Sequence, residues 1–250
     1  MPVFNNVLAG AAGQAGGAAD EYAIPKSLRF NDGDSAYLSK TFATAGNTRT
    51  WTLSFWVKRV KSGTYCPLID ARSPQNDSLV SLLFDGNDNF QLGHNSFSSI
   101  ITSRAYRDFS SWYHIVLAVD TTQATASDRI KLYTNGVQET SFSSATYPAQ
   151  NTTYNWNSAS LHTINQAGNG YGGQYLADIH SIDGQQLAPT DFGETRSSDG
   201  VWVPKEYTGF GTNPNDGTTW SSTYSAAFAG NAMTDSALVG SYTGVNNSFT

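Results

Sequence analysis

One cysteine, four glutamates and only 14 lysines and arginines in 250 residues set the first limits on what this chain can be. With Cys66 alone no internal disulfide can form, so the chain is not a disulfide-stapled secreted module. Cys66 sits in an apolar run, 65–69, with no histidine or other base implied beside it. That context reads as a buried structural thiol rather than a nucleophile. Charged residues make up 14% of the chain, against roughly 25% in ordinary soluble proteins. The net charge is −6 and no basic stripe interrupts it, which excludes a nucleic-acid backbone as partner. No apolar stretch approaches a membrane span, so no membrane insertion is expected. The first 19 residues lack both a basic start and an apolar core, so no signal peptide is expected either. Helical periodicity is missing at any useful length, and only Ala188–Gly193 could form a helical turn.

What is present is Ser, Thr, Asn, Gln and Gly in place of charge, interleaved with short apolar runs. Trp51–Lys58 alternates: Trp51, Leu53, Phe55 and Val57 fall on one face, Thr52, Ser54, Trp56 and Lys58 on the other. This is the period of a half-buried strand. Leu79–Phe84 and Phe90–Gly93 flank the turn-rich Asp85–Asn89, a hairpin pattern. Trp112–Asp120 alternates again, with Tyr113, Ile115, Leu117 and Val119 on the predicted core face. Ile130–Thr134 runs into Asn135-Gly136, the strongest short hairpin signal. Ser160–Asn165 and Gln174–Ile182 supply two further strands, the second closed by Asp183-Gly184. Many short strands punctuated by Gly, Asn and Asp predict an all-β jelly-roll sandwich of two antiparallel sheets.

Three segments follow from texture. Residues 1–24 form a Gly/Ala-rich N-terminal arm, residues 25–200 the jelly roll, and residues 201–250 a C-terminal extension. The arm is either a disordered leader or a segment that orders on a neighbouring subunit, with Phe4, Val7 and Leu8 as its partner-binding anchor. The extension either adds a strand, docks on the sandwich, or reaches a partner.

The motifs Trp51–Arg59, Trp112–Asp120, Lys131–Gly136 and Gly173–Pro189, in that order across Leu28–Gly193, resemble the laminin-G-like branch of the concanavalin A-like lectin/glucanase superfamily. The leader with Ser27–Arg59, the stretch Tyr175–Glu194 and Gly200–Gly209 also resemble virion proteins of tailed bacteriophages, particularly marine ones. The second resemblance implies a tail fibre, head fibre or capsid decoration on a virion surface, assembled in the host cytoplasm beside other virion proteins. It also implies a possible homo-oligomer, although no heptad or repeat supports one. Two functions remain in view: adhesion to host-surface carbohydrate, or structural attachment through the terminal segments.

Some members of that superfamily hydrolyse polysaccharides with acids spaced E-x-D-x-x-E on one strand, so that alternate residues face one groove. Glu21, Glu139, Glu194 and Glu206 lie in no such pattern. Asp178 and His180 share a strand face, but Asp183 belongs to its turn, so a structural role is expected for Asp178. No nucleophile elbow or Walker loop is present, and His94, His114, His162 and His180 are too scattered for zinc. No enzyme is expected. Laminin-G-like domains often bind calcium, but Asp32, Asp34, Asp70 and Asp77 do not assemble into one site. Asp85–Asn89 lacks the glycine and closing glutamate of a calcium loop, so no cofactor is expected, with calcium kept as the alternative.

A sugar needs an exposed aromatic platform and neutral hydrogen-bonding groups. Trp56 and Tyr133 oppose the apolar faces of their strands, and Tyr171 and Tyr175 flank a Gly-rich loop. These four are the carbohydrate-binding candidates. The competing reading is that the second face is covered by another layer of the protein or by a neighbour.

Overall fold

The structure, a computed structural model, describes residues 22–72, 80–94, 98–167, 170–209 and 234–235. The arm residues Phe4, Val7 and Leu8 lie outside them. Strands form where the alternation predicts them. In chain order they are β1 (Leu28–Phe30), β2 (Leu38–Thr41), β3 (Thr50–Arg59), β4 (Cys66–Arg72), β5 (Val80–Phe84) and β6 (Asn89–His94). There follow β7 (Ser98–Ala105), β8 (Tyr113–Asp120), β9 (Ile130–Thr134), β10 (Val137–Gln138), β11 (Phe142–Thr146) and β12 (Leu161–Ile164). Last come β13 (Gln166–Ala167), β14 (Gly170–Tyr171), β15 (Gln174–Asp183), β16 (Gly193–Thr195), β17 (Trp202–Pro204) and β18 (Thr234–Asp235). The one helical turn the sequence allowed is a 3-10 turn, Pro189–Asp191. No helix among the described residues is long and apolar enough to cross a membrane.

Pairing is antiparallel throughout, in a six-stranded sheet ordered β1-β15-β3-β8-β9-β10 and a second ordered β11-β7-β6-β5-β4-β12-β2-β18. Trp51, Leu53, Phe55 and Val57 of β3 pack between the sheets with Ile115, Leu117 and Val119 of β8, against Leu68, Leu82, Phe84 and Phe90 of the opposite sheet. Asn135 and Gly136 both take positive φ, 48° and 79°, in the two-residue turn joining β9 to β10. The primed-turn geometry needs that conformation at both positions, which is why Asn-Gly sits there.

The half-buried reading of β3 needs correction. Thr52 and Ser54, predicted to face outward, are buried as fully as the core face, and Trp56 nearly so. A second layer lies over the six-stranded sheet. Residues 185–187 dock through Thr52 Oγ1, which donates to the Gln185 carbonyl (2.7 Å) and accepts from Leu187 N–H (2.9 Å). Beyond them Phe192 and Tyr207 close a small apolar cluster with Val116 and Ile182 of the sheet. The β16–β17 hairpin belongs to this layer. Residues 201–209 therefore pack on the sandwich, through a hairpin that straddles the boundary at Gly200.

Strand β15 changes phase within itself. Ala177 pairs with Trp56 but His180 pairs with Ser54, so one extra residue bulges between them, and Asp178 takes a φ of 47°. Leu176 consequently lies in the inter-sheet core while Ile182, six residues on, lies in the outer cluster.

Candidate functional site

The outer face of the six-stranded sheet carries rows of side chains set by register. In one row Ala177, Trp56 and His114 stand side by side on β15, β3 and β8. In the next, Arg29, Tyr175 and Lys58 do so on β1, β15 and β3. Over the first row lies a stack of three rings. Trp56 stacks on His114 at 4.8 Å between centroids, and His114 on Trp202 at 6.0 Å, both nearly parallel.

Hydrogen bonds fix the middle ring. The Trp202 indole N–H donates to His114 Nδ1 (3.0 Å), so that nitrogen carries no proton. His114 Nε2 lies 2.8 Å from Ser54 Oγ and is the protonated nitrogen of the neutral ring. Burial holds this imidazole neutral, pushing its pKa down to about 3. Trp202 is seated by two glycines. A Cβ at Gly136 would come within 2.5 Å of its ring, and one at Gly193 within 2.6 Å.

At the bulge, Asp178 and His180 meet at 3.1 Å, both side chains almost wholly buried. The Tyr22 hydroxyl donates to Asp178 Oδ1 (3.1 Å), which ties the segment 22–27 to the sheet. Burial, then the charge of Asp178 and this hydrogen bond, push the Tyr22 phenol up.

Between segment 24–27 and Pro204 an open cleft of about 340 Å³ remains. Its floor is Trp56 and Ala177, its walls are Ile24–Ser27 and Pro204, and Trp112 borders it. That volume is at the lower end of the range for small-ligand sites. Trp56 is only 7% exposed, yet its indole N–H is buried without a hydrogen-bond partner among the described residues. A buried donor left unpaired is costly, of order 1–3 kcal/mol. This N–H lies below the accessible surface, so the cleft offers the ring of Trp56 rather than its donor.

The structure separates the four predicted sugar-binding residues. Trp56 is not the exposed platform that alternation suggests, because the outer layer covers all but a part of it facing the cleft. Tyr175 stands beside the cleft, edge-on to Trp112 at 6.4 Å. Tyr133 is partly buried against the Val116, Ile182, Phe192 and Tyr207 cluster and is not among the residues that line the cleft. Tyr171 pairs instead with Tyr37, at 5.9 Å in the β13–β14 region. Trp112 was missed, although it lies in phase with His114 just before β8 and so points to the same face.

Two of the acids considered for calcium are engaged by cations. Asp32 pairs with Lys61. Asp88, in the β5–β6 turn, accepts from buried Arg59 and from Arg107, both at 2.9 Å. Against the burial that would raise it, Arg107, the Gly63 N–H and Arg59 hold this carboxyl below the usual range. Asp77 lies outside the described residues. Among the described residues no three His, Cys, Asp or Glu side chains group as metal ligands.

A family model described as the Concanavalin A-like lectin/glucanases superfamily matches residues 31–177. No curated protein matches the chain. Among solved structures, a native heptameric SAP-like pentraxin from Limulus polyphemus is 14% identical with a TM-score of 0.42, over 64% of this chain and 77% of that one. Domains LG4-5 of the mouse laminin alpha1 chain are 11% identical with a TM-score of 0.48, over 68% of this chain and 45% of theirs. Trypanosoma rangeli sialidase in complex with the inhibitor DANA is 17% identical with a TM-score of 0.48, over 68% and 27%. The chain thus spans less than half the length of the laminin and sialidase chains.

Proposed function

This chain belongs to the Concanavalin A-like lectin/glucanases superfamily, and from that premise we propose that it is a lectin-like, non-enzymatic carbohydrate-binding module. The observation that carries this reading is the cleft over Trp56. It combines an aromatic floor, a bordering Trp112, and the polar side chains of Lys26 and Ser27. A saccharide suits such a site, with apolar C–H faces to lie on indole and hydroxyls to bond the polar side chains of the walls.

The non-enzymatic part rests on the acids. Hydrolysis needs a pair of carboxyl groups across the scissile bond. Asp178, next to Ala177 of the cleft floor, is held by His180 and Tyr22, and among the described residues no acid lines the cleft. The same reading places the module on a bacteriophage virion surface, as a tail or head fibre or similar component adhering to host glycans. That location is supported by the sequence resemblance of the leader and of Tyr175–Glu194 to virion proteins.

Glycan-array binding tests the reading. The full chain is expected to bind at least one glycan, and Trp112→Ala to lose roughly tenfold or more in affinity, in line with about 1–3 kcal/mol for an aromatic contact. An unchanged circular dichroism spectrum would show that the fold survives. If no glycan binds, or if Trp112→Ala binds as well as the parent, the site assignment is wrong.

A further inference from the structure

We infer that the cleft selects a negatively charged sugar, one bearing a carboxylate or a sulfate ester, and that Lys26, Arg29 and Lys58 make the choice. The inference rests on the carbohydrate-binding reading above and adds the class of sugar. Lys26 is the charged residue among those lining the cleft, on the wall opposite Pro204. Arg29 and Lys58 flank Tyr175 in the row beside Trp56 and Ala177. Strands lie about 4.8 Å apart and alternate residues about 6.8 Å apart, so both cations originate within roughly 10 Å of the floor. The Arg29 guanidinium lies over the Tyr175 ring, 5.8 Å from its centroid, and Tyr175 in turn meets Trp112.

None of the three cations has a carboxylate partner among the described residues, in a protein whose net charge is −6. Six other cations, Arg59, Lys61, Arg104, Arg107, Lys131 and Arg196, are each paired with an acid, and Arg129 and Lys205 donate to backbone carbonyls. Two acids near this face, Asp178 and Glu206, act on Tyr22. Asp178 is buried and accepts the Tyr22 hydroxyl, while the charge of Glu206 also reaches that phenol. Unpaired cations around an aromatic floor fit a ring that stacks on indole and carries an anionic substituent at its edge.

The test uses the full chain and three soluble polymers: polygalacturonate, which is carboxylated, dextran sulfate, which is sulfated, and neutral dextran. Binding to one or both anionic polymers and not to dextran is expected, and which one binds identifies the acidic group. Lys26→Ala and Arg29→Ala should each weaken binding about threefold, and the triple variant with Lys58→Ala well over tenfold. Lys40→Ala, on a strand of the opposite sheet, should leave affinity unchanged.

Neutral glycans bound with equal strength, with sensitivity to Trp112→Ala but not to Lys26→Ala or Arg29→Ala, would overturn the charge selection and leave the lectin reading standing. Absence of binding to these polymers and to every glycan on an array would overturn both. Anionic binding that ignores Trp112→Ala, or that weakens equally with Lys40→Ala, would reveal general charge attraction and also sink the inference.

Discussion

A proton on His114 would break its bond from Trp202, because an indole N–H can only donate and needs the lone pair on Nδ1. His162 has the same arrangement with its nitrogens exchanged. Its Nδ1 lies 2.9 Å from the Ser160 carbonyl, and its Nε2 accepts from the Asn157 backbone N–H at 3.1 Å. Burial lowers its pKa to about 4, against the Ser160 carbonyl, which raises it. The sign of the effect on stability follows. The unfolded chain takes up protons on both rings near pH 6.5, whereas the folded chain refuses them until about pH 4 and 3. Stability from these residues is complete above pH 6.5 and is lost as pH falls through that window, by on the order of a few kcal/mol. Urea midpoints measured from pH 7 down to pH 4 should fall steadily, and the fall should shrink in His162→Gln. A flat profile across that range would contradict the neutral, buried assignment.

Between elements, the decisive contact is one hairpin turn seating the side chain of another hairpin. Gly136 holds a φ of 79° and leaves room for Trp202 of β17. Gly136→Ala would strain the turn and drive a methyl group into the indole, at a cost of about 2–4 kcal/mol. A lowered melting temperature with red-shifted tryptophan emission is the expected result. A stability unchanged within about 0.5 kcal/mol, the scatter of surface substitutions, would refute the seating.

At this scale the sequence was informative about the strands and silent about their covering. Trp51–Val57 and Tyr113–Val119 announced their inner faces through alternation alone. Asn135-Gly136 announced its turn through the φ values that only a few residues accept. The bulge at Asp178 left no such mark. Alternation sets Leu176 and Ile182 on one face, and only the pairing with β3 shows that an extra residue parts them.

For the whole molecule, the outer layer decides which aromatics can serve a ligand. Trp56 and Tyr133 satisfied the same sequence criterion, yet one floors the cleft and the other packs, partly buried, against the outer apolar cluster. Their fates depend on residues 22–27 and 185–209, far away along the chain, so no local pattern could separate them. Ending the chain at Gly200 should strip Trp202 and Tyr207 from the sheet and uncover Val116, Ile182 and Phe192. A fall in melting temperature of roughly 5–10 °C and binding of an apolar dye are expected, from a loss of several kcal/mol of aromatic packing. If the shortened chain melts with the parent, the outer layer contributes nothing to the fold.

Segment 24–27 and Pro204 come from opposite sides of the sandwich in sequence, and each lays one wall of the same cleft. The floor, by contrast, is woven into β3 and β15 and cannot be altered without disturbing the sheet. Recognition is thereby uncoupled from folding. Exchange of a few residues flanking the jelly roll, by recombination in nature or by grafting at the bench, would retarget the module while every core strand kept its register.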